Sequence, residues 1–172
     1  MENANVISAA AALSAALSAS EAKIGSLIES AKLKEALLRA EDIEGLKAAV
    51  EQEEELVASF GAVDVLREEK SKALARAVGL KEESPALGDI IAAMGDTPQA
   101  VSLSALREKL KAALARLDMH NTRVAHLLEL KKQYADFMLE SLREPEPRAA
   151  VYSQTGERAE GDSGRRILDV QI

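Results

Sequence analysis

Residues 102–143 read SLSALREKLKAALARLDMHNTRVAHLLELKKQYADFMLESLR. No glycine or proline interrupts them, and apolar side chains recur at three-to-four spacing. This pattern predicts one long α-helix that begins at Ser102 or Ser104 and ends at Arg143. Leu103, Leu110, Leu117, Val124, Lys131 and Met138 form one seven-residue series, and Arg107, Leu114, Asn121, Leu128, Ala135 and Leu142 form its partner. Two such rows make a coiled-coil-like seam, so the helix needs other helices to cover it. It would be about 60 Å long, and Pro145 and Pro147 stop it.

Upstream, the same periodicity predicts two more long helices. From Asn5 to about Ala40, Val6, Leu13, Leu17, Ile24, Leu27, Ile28, Ala31 and Leu38 share one stripe. Asp42 is a candidate N-cap for a second helix from Ile43 to about Val78, with a moderate turn signal and no proline to enforce it. Leu46, Val50, Leu56, Phe60, Val63, Leu66, Leu74 and Val78 are the expected apolar face, with Gly79 as the stop. Ser84 and Pro85 look like an N-cap and first-turn pair for a short helix from Ala86 to Met94, which Gly95 closes before a turn at Thr97 and Pro98. The fold expected is therefore all-α: an elongated bundle of three long antiparallel helices plus one short helix, spanning residues 1–143. Whether the first two helices form a hairpin or one rod is open at this level.

Residues 144–165 hold prolines, glycines and mixed charge with few large apolar groups, and are expected to form a flexible tail. Ile167, Leu168, Val170 and Ile172 then bring aliphatic side chains back at the end. A segment of this kind serves docking, so residues 144–172 are expected to be a flexible tail with a terminal docking element.

Of 172 residues, 47% are hydrophobic but only 2% aromatic, so buried surface must be spread thinly along helices. The net charge of −7 at pH 7 repels phosphate backbones, and no nucleic-acid partner is expected. There is no cysteine, which removes disulfides and thiolate chemistry. The opening residues lack the basic and leucine-rich parts of a signal peptide, and no run of apolar residues is long enough to span a bilayer. A cytoplasmic location without membrane insertion is the expectation.

Side chains that could do chemistry do not converge. His120 and His126 stand about 240° apart around a helix, so they cannot share a ligand, and both are expected on the helix surface. Glu51, Glu53, Glu54 and Glu55 form an acidic run without the Glu-x-x-His partner motifs of a di-metal bundle, and read as a solvated face. No phosphate loop or nucleophile elbow occurs. No enzyme activity, metal or cofactor is expected. Asn121 falls in the seam, where a polar residue sets register, meets a partner or is simply exposed. Tyr134, Phe137 and Tyr152 are three of only four aromatic residues. Rings and methionines are enriched at interface cores, so Tyr134, Phe137, Met138 and Leu142 either pack on other helices or form a recognition patch.

The pairing of a long helix carrying His120 and Asn121 with a proline break, the run Val151-Tyr152-Ser153-Gln154-Thr155-Gly156 and the terminal Arg165-Arg166-Ile167-Leu168-Asp169-Val170 resembles the FlgN family. Segments 35–46 and 53–56 are also similar, so the resemblance spans roughly 27–172 and is most specific in the tail. Tyr152 and Gly156 match the family's tail motif, with Ser153 where its first glycine stands. The resemblance implies a flagellar type III export chaperone that binds hook-filament junction proteins, the hook-associated proteins, in the cytosol, prevents premature assembly and delivers them to the export gate. It implies a client helix held by Leu127, Leu128, Tyr134, Phe137, Met138 and Leu142. It implies docking to the gate's cytoplasmic domain through Tyr152 and Gly156, with Ile167, Leu168 and Val170. A monomer when free is expected; a structural coiled-coil or adaptor protein of another secretion system is the competing reading.

Overall fold

The computed structural model describes residues 2–81 and 85–143, with side chains from Ala4 onward. Among the described residues there are four helices: α1 (Glu2–Ala40), α2 (Ile43–Ala77), α3 (Leu87–Met94) and α4 (Pro98–Leu142). Contact density divides the chain at residue 133 into a unit Met1–Gln133 and a second unit that begins at Tyr134.

α1 and α2 form a hairpin. α1 ends because Glu41 adopts φ 59°, in the left-handed region, and the Asp42 amide then donates back to the Leu37 carbonyl at 3.1 Å. This is the backbone pattern of a Schellman stop, with glutamate where glycine is the usual occupant. Asp42 caps α2 by accepting from the Gly45 amide at 2.9 Å. Gly45 is required there: a Cβ would lie 2.5 Å from Asp42 Oδ2 and 2.8 Å from Leu37 Cδ2. α2 ends at a full Schellman motif, with Gly79 at φ 81° and the Leu80 amide donating to the Ala75 carbonyl at 2.9 Å. Leu80 then folds onto the core, the hydrophobic contact that accompanies such stops.

Three of the expected helix starts are displaced, and α1 begins at Glu2 where Asn5 was expected. α3 begins at Leu87 with Ala86 as N-cap and no side-chain cap bond, and Ser84 lies outside the described residues. α4 begins at Pro98, four to six residues before the serines expected to start it. Thr97 supplies the cap, its Oγ1 accepting from the Ala100 amide at 3.2 Å, and Pro98 takes the first-turn position that lacks a donor need. The Thr97-Pro98 pair is therefore a helix start, where the sequence suggested a free turn.

In the first unit the packing order follows from which residues meet. Ala10, Leu13 and Leu17 of α1 cluster with Leu74 and Ala75 of α2, Ile90 and Met94 of α3, and Ala100 and Leu103 of α4. Further along, Ile24 and Ile28 of α1 meet Ala113 of α4, with Phe60 of α2, Leu110 and Leu117 around them. α2 thus runs antiparallel to α1 and α4, which run parallel to each other, and the described residues form the expected all-α arrangement of three long helices with a short fourth. α3 is a plug: Leu87, Ile90, Ile91 and Met94 all enter the first cluster. The α1 and α2 backbones approach most closely, which the small residues Ala10, Ala16, Ser20, Ala31, Ala49, Ser71 and Ala75, all buried, allow. Leu13, Leu74, Ile90 and Leu103 are the largest fully buried side chains, each contributing about 1.5–3 kcal/mol by removal from water.

The apolar faces depart from the sequence reading at specific positions. On α2, Val50 and Leu66 are exposed, and the small residues Ala49, Ser71 and Ala75 take the buried positions beside Leu74. On α4, the first seven-residue series faces inward from Leu103 to Val124, but its partner series does not: Leu114, Asn121 and Leu128 are exposed. The buried partners are one residue earlier, Ala113 and His120. Asn121 is therefore a solvent-facing residue, and His120 is not a surface histidine.

Candidate helix-capture surface on α4

His120 sits in the seam opposite Glu35 of α1, both under one-tenth exposed, with Nδ1 3.6 Å from Glu35 Oε2. Glu35 Oε1 and His120 Nδ1 have no hydrogen-bond partner, so this is a register-specific polar contact inside the bundle rather than an open site. Around it, Glu53 of α2 takes Ser30 at 3.2 Å and pairs with Lys34, tying α2 to α1. Lys131 of α4 pairs with Glu41 at the hairpin turn. The Lys131 ammonium, by hydrogen bond and charge, holds the Glu41 carboxyl below its ordinary value, and Lys32 does the same for Glu29 with a smaller attraction from His120. These exposed acids are stabilised in their charged form, which is the opposite of a proton donor poised for chemistry. Among the described residues, no three His, Cys, Asp or Glu side chains are grouped to hold a metal ion.

Of the residues expected to hold a client, Leu127 is half-buried and Leu128 exposed in the first unit. The other four fall in the second unit, on the last turns of α4. There Tyr134 and Phe137 are each 63% exposed, Met138 41% and Leu142 74%. Tyr134, Phe137, Met138 and Leu142 stand at i, i+3, i+4 and i+8, so the helix gathers them on one side. Asp136, Glu140 and Arg143 occupy the opposite side by the same spacing. Leu139, 64% exposed, extends the apolar surface; it was missed because it lies off the stripe that periodicity selects. Tyr152, Gly156, Ile167, Leu168 and Val170 lie outside the described residues, as does the expected tail as a whole.

The described residues form a helical scaffold with an exposed apolar helix end. No helix of the described residues is long and apolar enough to cross a membrane. A family model described as FlgN protein matches residues 1–160, and the chain belongs to the FlgN family of flagellar export chaperones. The match includes the alanine-rich opening and Tyr152 and Gly156, and it ends before Ile167. No curated protein matches the chain, and no solved structure does.

Proposed function

We propose that this protein binds hook-associated junction proteins in the cytoplasm, keeps their assembly-prone helices apart and delivers them to the export gate, without catalysing a reaction. The observation that carries this reading is the apolar end of α4, where two rings, a methionine and two leucines stand in water. A cluster of that size on a helix suits capture of an amphipathic client helix, whose i, i+3, i+4 and i+7 side chains would interleave with Tyr134, Phe137, Met138 and Leu142. Leu127 and Leu128 are the further anchors assigned to the client.

Residues 144–172 are proposed as the tether, with Tyr152 and Gly156 docking to the gate and Ile167, Leu168 and Val170 adding aliphatic contacts. A tether raises the effective concentration of a bound client at the gate without altering the bundle. Co-expression of the full chain with a hook-associated protein tests the first half: an equimolar soluble complex is expected, and a stable homo-oligomer that ignores the client would favour the adaptor reading instead. Removal of 145–172 tests the second half. Client binding should persist while export falls, and unchanged export would refute the tether.

A further inference from the structure

α2 carries a second unpartnered row that the client reading does not use. Ile43, Val50, Val57 and Val65 are 58%, 41%, 53% and 60% exposed. They are spaced by seven, seven and eight residues, so they fall within an arc of about 80° and extend for about 33 Å. The row lies beside the core-facing stripe of Ala49, Ser71 and Leu74, not within it. Gly61 stands in the row between Val57 and Val65, and a Cβ there would meet nothing within 4 Å. Nothing in the bundle needs a glycine at that point, and a glycine inside a helix weakens it. What the missing side chain does offer is close approach for another backbone.

The charges beside the row are one-sided. Glu44, Glu53, Asp64 and Glu68 are held by Lys47, Lys34, Arg67 and Lys72. Glu51, Glu54, Glu55 and Glu69 are exposed and make no ion pair among the described residues. By helical spacing Glu51, Glu55 and Glu69 lie along the flank of the row that faces away from the core, and Glu54 stands within the row's own arc between Val50 and Val57. An aliphatic strip with acidic side chains along one edge is complementary to an amphipathic helix whose aliphatic stripe is edged by Lys or Arg. A second acidic copy of the same face would be repelled, and so would nucleic acid.

We infer that the outward face of α2, along Ile43, Val50, Val57, Gly61 and Val65 with Glu51, Glu54, Glu55 and Glu69, is a second docking surface for a basic amphipathic helix of a partner protein. It lies on a different helix from Tyr134–Leu142.

The test uses the full chain and two labelled helical peptides, read by fluorescence anisotropy. One has leucines at i, i+4, i+7 and i+11 with lysines along one edge; the other has glutamates in place of the lysines. The basic peptide should bind and the acidic one should not, with affinity falling as salt rises. Glu54→Gln with Glu55→Gln, and separately Val57→Ser, should each weaken binding about tenfold, a change that anisotropy resolves readily. A charge-matched control on α4, Asp118→Asn with Glu129→Gln, should leave it within about twofold. Equal loss in the control, no loss in the α2 variants, or no binding of the basic peptide would overturn the assignment. So would self-association in light scattering that Val57→Ser abolishes, since the face would then belong to a second copy.

Discussion

At the scale of single residues, the bundle is specified by a few positions where local chemistry is unusual. Asp42 was legible as a cap because its carboxylate can accept from a first-turn amide, and it does so at 2.9 Å. Glu41 was not, since glutamate has no preference for the left-handed φ of 59° that stops α1. His120 was also hidden: a histidine between Met119 and Asn121 carries no burial signal of its own, and only the phase of α4 turns it toward Glu35. The pair is separated by 3.6 Å and leaves two polar atoms without hydrogen bonds. Removing one partner strands the other in the seam, whereas removing both replaces a polar contact by apolar packing. His120→Ala should therefore cost roughly 2–4 kcal/mol, while His120→Leu combined with Glu35→Met should return stability to within about 1 kcal/mol of the parent or above it. Urea unfolding of the single and double variants measures this, and additive losses would show that the two side chains are not coupled.

At the scale of elements, the existence and order of the helices followed from periodicity, but the faces were set by fine phase. α4 was read with an exact seven-residue partner row, Leu114, Asn121 and Leu128, because large leucines dominate the pattern. A straight helix repeats every 3.6 residues, not 3.5, and the neighbouring helices accept the smaller Ala113 and the buried His120 instead. Size and hydrophobicity pointed one way and geometry the other. Ala113→Leu should then overpack the cluster with Ile24 and Ile28 and cost about 1–3 kcal/mol, while Leu114→Ala should change stability by under about 0.5 kcal/mol. The reverse ranking in thermal melts would restore the sequence phase. The hairpin turn and α4 are further linked by Glu41 and Lys131. Because Lys131 lowers the Glu41 carboxyl below its ordinary value of 4.5, the charged pair stabilises the fold above that value and is lost as pH falls through the lowered one. Glu41→Gln keeps the backbone strain and removes only the charge. Its melting temperature should trail the parent's near neutrality, and the gap should close on acidification to about pH 3. High salt should narrow the gap as well, because the pair is exposed.

At the scale of the whole molecule, the all-α class could be read directly, since every long segment carries a helical stripe. Function could not be read in that way. Tyr134, Phe137 and Met138 continue the same spacing that builds the core around Leu103 and Leu117, so pattern alone cannot separate a side chain packed on its own fold from one offered to a partner. Exposure separates them. The core residues Leu13, Leu74, Ile90 and Leu103 are fully covered, while the rings of the second unit are more than half in water. Substitutions at the two sets should therefore have opposite consequences. Leu103→Ala should lower stability by about 3 kcal/mol through lost burial and the cavity left behind. Tyr134→Ala with Phe137→Ala removes no buried contact and should shift the melting temperature by no more than about 1 °C. If the apolar end of α4 holds the client helix, the same double variant should weaken binding of a hook-associated protein at least about tenfold by calorimetric titration, because large rings at an interface centre carry a disproportionate share of affinity. A double variant that melts early would place those rings in the fold, and one that binds normally would move the client to another surface.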